Sequence, residues 1–163
     1  MTSLQSDVIR DALSRHASGI CIATCSDNGV PCGMTISSFG AVSLEPPTVL
    51  WCVGRQAPEY AAFCKAEHFA IHLLSSKQAE VSNLFASAGA RKFQPDNHIL
   101  SKNEVPILTG MMVSMECVVV NNIPVGDHNI LVGQIVDCRV DDKNAPPLLY
   151  FDRAYREPGP ALG

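Results

Sequence analysis

Three side-chain hydroxyls stand together in residues 33 to 39, GMTISSF, where Thr35, Ser37 and Ser38 fall between a Met and a Phe. Hydroxyls at a strand end either satisfy nearby backbone or face a polar ligand. Neutral donors of this kind can hold a phosphate or a ring carbonyl without positive charge, and Gly33 allows close backbone approach. The stretch suits a ligand with a polar rim and a flat apolar body. A second candidate is GDH at 126 to 128. Its glycine permits a tight turn, and His128 then opens a strand either as a donor to a carboxamide or phosphate or as a solvent-facing hairpin residue.

Other groupings argue against chemistry. His68 and His72 would pair on one metal if they lay on a helix, but HFAIHLL reads as a strand. That places the rings roughly 13 Å apart, so both read as surface or satisfied sheet histidines. The seven cysteines, at 21, 25, 32, 52, 64, 117 and 138, include no CxxC and mostly sit among Ile, Val and Ala, as buried structural thiols do. Cys21 and Cys25 on one strand would be about 13 Å apart, beyond a disulfide's reach, whereas Cys25 and Cys32 across a hairpin remain open. No GxGxxG, GxxxxGK[ST] or GxSxG occurs, which removes support for a Rossmann site, a P-loop and a nucleophile elbow.

The elements that must position these residues are short. At 163 residues the chain is about one domain, and 47% hydrophobic against 17% charged residues fits a globular one. A net charge of -4 with no Lys/Arg cluster excludes nucleic acid as a partner. No signal peptide or 20-residue apolar window appears, so the expected location is cytoplasmic, away from membranes. Residues 6 to 17 predict an amphipathic helix with Val8, Ile9, Ala12, Leu13 and His16 at helical spacing, a Ser6 cap and a sheet to pack on.

ICIATC reads as a strand, SDNGVP as a hairpin turn, and PPTVLWCVG as a buried strand. APEYAAFCKA is a short helix with Pro58 in its first turn, HFAIHLL a strand, and SKQAEVSNLFASAG a helix ending near Gly89. Residues 91 to 110 read as a long irregular loop. Beyond Met111 all is strand, with Met111, Val113, Met115, Cys117 and Val119 on one face and Ser114 and Glu116 on the other. Six or seven strands with short helices predict a mostly β, α+β chain closed as an antiparallel barrel.

The order of the pieces adds to this. GMTxSSF, SLxPPxVL and GDHxxxxG follow one another, with SRHASGICIATC before them and PLLYFDRAYR after. From about residue 8 to 156 the chain resembles the flavin reductase family, the FMN-binding split-barrel reductase components of two-component flavin monooxygenases. The resemblance implies a single domain over 1 to 163 and a homodimer of six-stranded Greek-key split barrels. NADH or NADPH would reduce FMN or FAD at the dimer interface, and the reduced flavin would pass to a separate monooxygenase component.

It further implies flavin contacts from Met34, Thr35, Ser37 and Ser38, with Val53 and Arg55 at the ring or phosphate side. Phe85, Lys92 and Phe93 would stand near the ribityl-phosphate and pocket wall. His128 would meet the nicotinamide, with Tyr150, Arg153 and Tyr155 nearby. No obligatory acid or base and no metal is implied. The chain departs from the family pattern at Ala57, where relatives commonly carry Ser or Thr, and at His72, where many carry Asn. The alternative is a flavin- or haem-binding split barrel without turnover.

Overall fold

The structure, a computed structural model, describes residues 6–162; the side chain of Ser6, expected as a cap, lies outside the described residues. The chain runs α1 (Ser6–Ser14), β1 (Ser18–Gly19), β2 (Cys21–Asp27), β3 (Val30–Ile36), β4 (Gly40–Leu44) and β5 (Pro47–Gly54). Then follow α2 (Tyr60–Lys65), β6 (His68–Leu73), a 3-10 turn (Ser76–Gln78), α3 (Ala79–Ala86), β7 (His98–Leu100) and β8 (Pro106–Leu108). The long hairpin β9 (Val113–Val125) and β10 (His128–Val140) precedes β11 (Leu149–Phe151) and β12 (Ala154–Arg156).

The main sheet has seven antiparallel strands in the order β3-β2-β6-β9-β10-β5-β4. One hydrophobic cluster holds Cys25 and Ile36 from one end of that order and Val49, Trp51 and Val53 from the other, so the sheet curls around a shared core. Trp51 anchors it with Phe63 and Phe69 edge-on at 4.8 and 5.9 Å. Six or seven strands closed into a barrel were expected from the pattern and six from the resemblance; the main sheet has seven, and no ladder joins the edge strands β3 and β4 among the described residues.

Local sequence explains the curl. The β2–β3 hairpin turns on Asn28 (φ 52°) and Gly29 (φ 79°), a two-residue connection in the left-handed region whose twist matches the strands. The β9–β10 pairing shifts register between Val132 and Gly133 and again between Ile135 and Asp137, and such bulges bend a ribbon. Gly133 is also required by packing, since a Cβ there would lie 2.5 Å from the Phe69 ring and 2.8 Å from the Cys117 Cβ. The final glycine of GDHxxxxG is therefore room for an aromatic ring.

Residues 91 to 110 are more ordered than a loop, since β7 and β8 pair and cover the outer face of β2, β6 and β9. Thr24 Oγ1 donates to the Pro106 carbonyl at 2.6 Å, and Leu108 N donates to His72 Nε2 at 3.0 Å. With Nε2 accepting, the His72 proton sits on Nδ1 and is donated to the Ile22 carbonyl, 3.1 Å away. Full burial pushes the His72 pKa down to about 4, so the ring is neutral. Glu116 accepts from Ser101 Oγ at 2.9 Å and Asn103 Nδ2 at 2.7 Å. The Ser114–Glu116 face is thus buried under this layer, although period-2 alternation alone reads as solvent-facing.

The first helix also departs from expectation. Val8 and Leu13 are 60% and 67% exposed, so α1 does not pack on the sheet. It is held at the β11–β12 turn, where Asp152 N donates to the Ser14 carbonyl and Arg15 and Asp11 pair with Asp152 and Arg153.

Two outcomes follow from this packing. Gly133→Ala lowers unfolding free energy by roughly 1–3 kcal/mol in urea titration, because the methyl overpacks Phe69. His72 has a folded pKa below its unfolded 6.5, so its contribution is present above that pH and is lost as pH falls toward about 4. The loss is roughly 2 kcal/mol between pH 7.5 and pH 5. Urea melts of His72→Asn at those two pH values should show a decline shallower by that amount.

Candidate functional site

Strand β3 lies at the edge of the sheet, and GMTISSF is its second half with the turn into β4. Thr35 Oγ1 donates to the Ser82 carbonyl at 2.6 Å. Ser38 Oγ accepts from Cys52 N at 2.9 Å and donates to the Cys52 carbonyl at 3.3 Å, which ties the end of β3 to β5 across the open side of the sheet. Ser37 is exposed, and its hydroxyl makes no hydrogen bond among the described residues. Two of the three hydroxyls thus serve the backbone, and one is free for a ligand.

Gly33 also differs from its reading as a place for ligand approach. A Cβ there would meet Phe85 at 2.9 Å and Phe93 at 3.0 Å, and its carbonyl accepts from Lys92 Nζ at 3.0 Å. Two rings and a lysine, all from this chain, occupy that side of the strand.

Three cavities follow one another along β3. The first, of about 810 Å³, lies between α1, the β3–β4 turn and the β11–β12 hairpin, and is lined by Arg10, Leu13, Ser37, Ser38, Tyr150 and Arg153 among others. The second, of about 230 Å³, shares Ser37 and Tyr150 with it and adds Thr35 and Tyr155. The third, also about 230 Å³, shares Thr35 and adds Met34, Ala57, Phe85, Ser87 and Lys92. Together they make a groove with phenyl, phenol and thioether walls and scattered hydroxyls.

The groove gathers most of the residues singled out from sequence. Met34, Thr35, Ser37, Ser38, Phe85, Lys92, Tyr150, Arg153 and Tyr155 all line it. Tyr155 is fixed at α3, donating to Asn83 Oδ1 at 3.2 Å and accepting from Ser82 Oγ at 2.7 Å, and it packs edge-on to Tyr150. The turn beneath Tyr150 holds Asp152 and Arg153 in the left-handed region, at φ 51° and 61°. Non-glycine residues enter that region at a cost of about 1 kcal/mol each.

The remaining residues lie elsewhere. Val53 is wholly inside the core, and Phe93 stands behind the groove wall, edge-on to Phe85 at 5.4 Å and to His98 at 5.2 Å. Arg55 is exposed at the end of β5, its backbone N donating to the Asp127 carbonyl at 2.9 Å. His128 sits beside it against Gly54, whose added Cβ would be 3.2 Å from Nε2, and its Nδ1 lies 2.7 Å from Asp127 Oδ1. That contact holds the Asp127 carboxyl below the usual carboxylate range. His128 lines none of the three cavities.

A further cavity of about 490 Å³ lies at the other end of β3, by the Asp27–Gly29 turn, and none of the residues singled out for a ligand lines it.

Comparison with known proteins places the chain among flavin reductases. A family model described as "Flavin reductase like domain" matches residues 13–159. FMN reductase (NADH) SmoA of Agrobacterium fabrum is 34% identical over 146 residues, covering 90% of this chain and 82% of its own. The 4-nitrophenol 4-monooxygenase/4-nitrocatechol 2-monooxygenase reductase component of Rhodococcus opacus is 34% identical, over 87% of this chain and 75% of its own. The NADH:FAD oxidoreductase of Streptomyces globisporus C-1027, solved with NAD and FAD fragments, superposes with a TM-score of 0.88 at 26% identity, covering 97% of this chain and 96% of that one.

Sequence reasoning missed Glu59. Its Oε1 is 2.6 Å from Lys92 Nζ, with side chains only 17% and 10% exposed, so the lysine's charge is neutralised inside the groove wall. The partners are 33 residues apart and share no motif, which leaves no signal in the sequence. Removing one partner of a buried pair strands the other's charge. Lys92→Met should therefore lower stability by roughly 3–5 kcal/mol, and Lys92→Met combined with Glu59→Gln should recover a large part of that loss in the same urea titration.

Proposed function

Because the chain belongs to the flavin reductase-like family, we infer that the groove along β3 holds a flavin and that the protein is an NAD(P)H-dependent flavin reductase. The observation that carries this reading is the groove itself. Three neighbouring cavities share lining residues along β3, with aromatic and thioether wall and the Ser37 hydroxyl free of protein partners, and the one buried acid–base pair lining them, Glu59–Lys92, is closed on itself at 2.6 Å. FMN or FAD fits that donor set. Met34, Phe85 and Tyr150 supply wall for a flat body, and Ser37 supplies a neutral donor for its polar rim. When bound, the flavin supplies the hydride acceptor, with NADH or NADPH as the reductant.

What the chain's own residues do is bind, orient and exclude water. Thr35 and Ser38 act through the backbone they fasten, holding the edge strand in place so that Ser37 and the Met34 side chain face the groove. Arg10 and Arg153 stand at its wide end, 3.7 Å from Asp7 and Asp11 respectively, and can turn their remaining guanidinium N–H groups to an anionic portion of a dinucleotide. His128, Tyr150, Arg153 and Tyr155 serve the nicotinamide, with His128 contributing from beside Gly54. One chain leaves His128 apart from the other three, which supports a homodimer in which each copy completes the other's site. Exposed apolar residues on α1 and at the far end of the β9–β10 ribbon, Val120, Ile123 and Val125, are consistent with a surface for the second copy.

Reduced flavin passes to a separate monooxygenase component. A groove without an unpaired buried cation suits a flavin that comes and goes, since no strong charge pair must be broken on release. No described helix is long and apolar enough to cross a membrane, and the seven free thiols are compatible with a reducing cytoplasm.

The test is NADH or NADPH oxidation by purified protein, followed optically with FMN, FAD and no flavin. Turnover should require added flavin. Ser37→Ala should raise the apparent KM for flavin roughly two- to tenfold, the worth of one net hydrogen bond, with kcat nearly unchanged. No flavin-dependent oxidation with either nucleotide would overturn the reading in favour of a binding protein without turnover.

A further inference from the structure

We propose that Cys25 and Cys32 are a peroxide-responsive thiol pair, an oxidation site that locks the β2–β3 hairpin by a disulfide beside the flavin groove. The two residues are direct partners across the hairpin. The Asp27–Val30 pair closes the two-residue turn with mutual hydrogen bonds, and pairs alternate in type along an antiparallel ladder. Cys25 and Cys32, two steps on, are of the same type, with Cα atoms about 5.5 Å apart. That separation is within the range disulfides adopt without moving backbone.

The side chains share one face. Cys25 is wholly buried in the main core, and Cys32 is partly exposed, packs against the same core and has its Sγ 3.6 Å from the Val30 carbonyl. Their asymmetry suits an attacking and a resolving thiol. Cys25 is held protonated by the neighbouring Cys32 and by burial, while the neighbouring Cys25 draws the Cys32 sulfur down to about 7. Cys21 and Cys117 have no such character, because burial pushes both up to about 12.

The oxidant is hydrogen peroxide, and on this point the proposal rests on the reductase reading: reduced flavin released without an acceptor reacts with oxygen to give oxidised flavin and peroxide. The Cys32 thiolate attacks one peroxide oxygen and the O–O bond breaks, leaving a sulfenic acid and, with a proton, water. Cys25 sulfur then attacks Cys32 sulfur; the S–S bond forms, and the sulfenic hydroxyl leaves as water with the Cys25 proton. Two thiols and one peroxide become one disulfide and two waters.

The consequence lies one residue away. Gly33 carries the Phe85 and Phe93 rings and the Lys92 ammonium, and Met34 and Thr35 line the groove. The covalent link fixes the strand that forms the groove wall in one position, so the oxidised protein cannot adjust to flavin, holds it more weakly, and unused turnover limits itself.

The experiment is intact mass of reduced protein treated with hydrogen peroxide, without flavin or nicotinamide, so that failure of the reductase reading leaves it unaffected. Expected is a loss of about 2 Da, reversed by dithiothreitol, as two thiols become one disulfide. Cleavage at Asp27, between the two cysteines, should leave the fragments joined. Cys32→Ser, at the partly exposed position, should abolish the change, Cys25→Ala should do the same, and Cys138→Ser should keep it. FMN should bind the oxidised form at least about threefold more weakly, read by fluorescence quenching. No mass loss, sulfinic acid on Cys32 without linkage, or linkage to another cysteine would overturn the pair. Linkage with unchanged FMN affinity would overturn its effect on the groove.

Discussion

An edge strand presents a row of unpaired backbone groups, and a folded chain must cover it or tie it down. Here the edge is β3, and nearly everything around the candidate site can be traced to how that obligation is met. Ser38 fastens its end to Cys52 on β5, Thr35 fastens its middle to Ser82 at α3, and Lys92 fastens Gly33 to Glu59 ahead of α2. The β11–β12 hairpin completes the cover through Tyr155, which reaches the same α3 residues. These ties are point contacts and not a ladder. The gaps between them are the groove.

That origin accounts for the groove's chemistry. The tying groups are hydroxyls and a neutralised ion pair, so they leave little net field along β3, while Arg10 and Arg153 line the wide solvent end, each 3.7 Å from a carboxylate of α1, Asp7 and Asp11 respectively. A charge near solvent is screened within about 10 Å at ordinary ionic strength. Such an arrangement guides an anionic ligand to the mouth but contributes little to holding it. Retention of a ligand in the groove proposed here would then rest on apolar contact along its lining, which is moderate and non-directional. A protein that reduces a flavin and lets it go needs that balance.

Much of the fold was legible because its signals are local. The Asn28–Gly29 turn, the β9–β10 alternation and the short helices after Pro58 and Ser75 all come from neighbouring residues. The layer over the outer face of the sheet was not. Residues 91 to 110 hold strands of only three residues, and their order depends on Thr24, His72 and Glu116, whose partners are distant in sequence. For the same reason the alternation that put Ser114 and Glu116 on one face did not show that a layer buries it, and α1 read as sheet-packed when its apolar stripe is uncovered. Period and polarity report which side chains share a face, not what covers it.

The motif residues divide in the same way. In GMTxSSF the glycine reads as a place for ligand approach, yet Gly33 is set by the rings of Phe85 and Phe93, and the last glycine of GDHxxxxG, Gly133, is set by the ring of Phe69. Thr35 and Ser38 are set by carbonyls, leaving Ser37 as the hydroxyl that faces outward. A ligand gripped by shape and backbone position imposes its requirements mainly on the scaffold, because a displaced edge strand would lose the whole wall while a missing hydroxyl loses one hydrogen bond. Hydride transfer between two cofactors needs no protein acid or base, only rings held at contact distance with water kept out. The order of scaffold residues is therefore where such a function is written most densely, and the hydroxyl of Ser37 is the small part of the motif left without a protein partner.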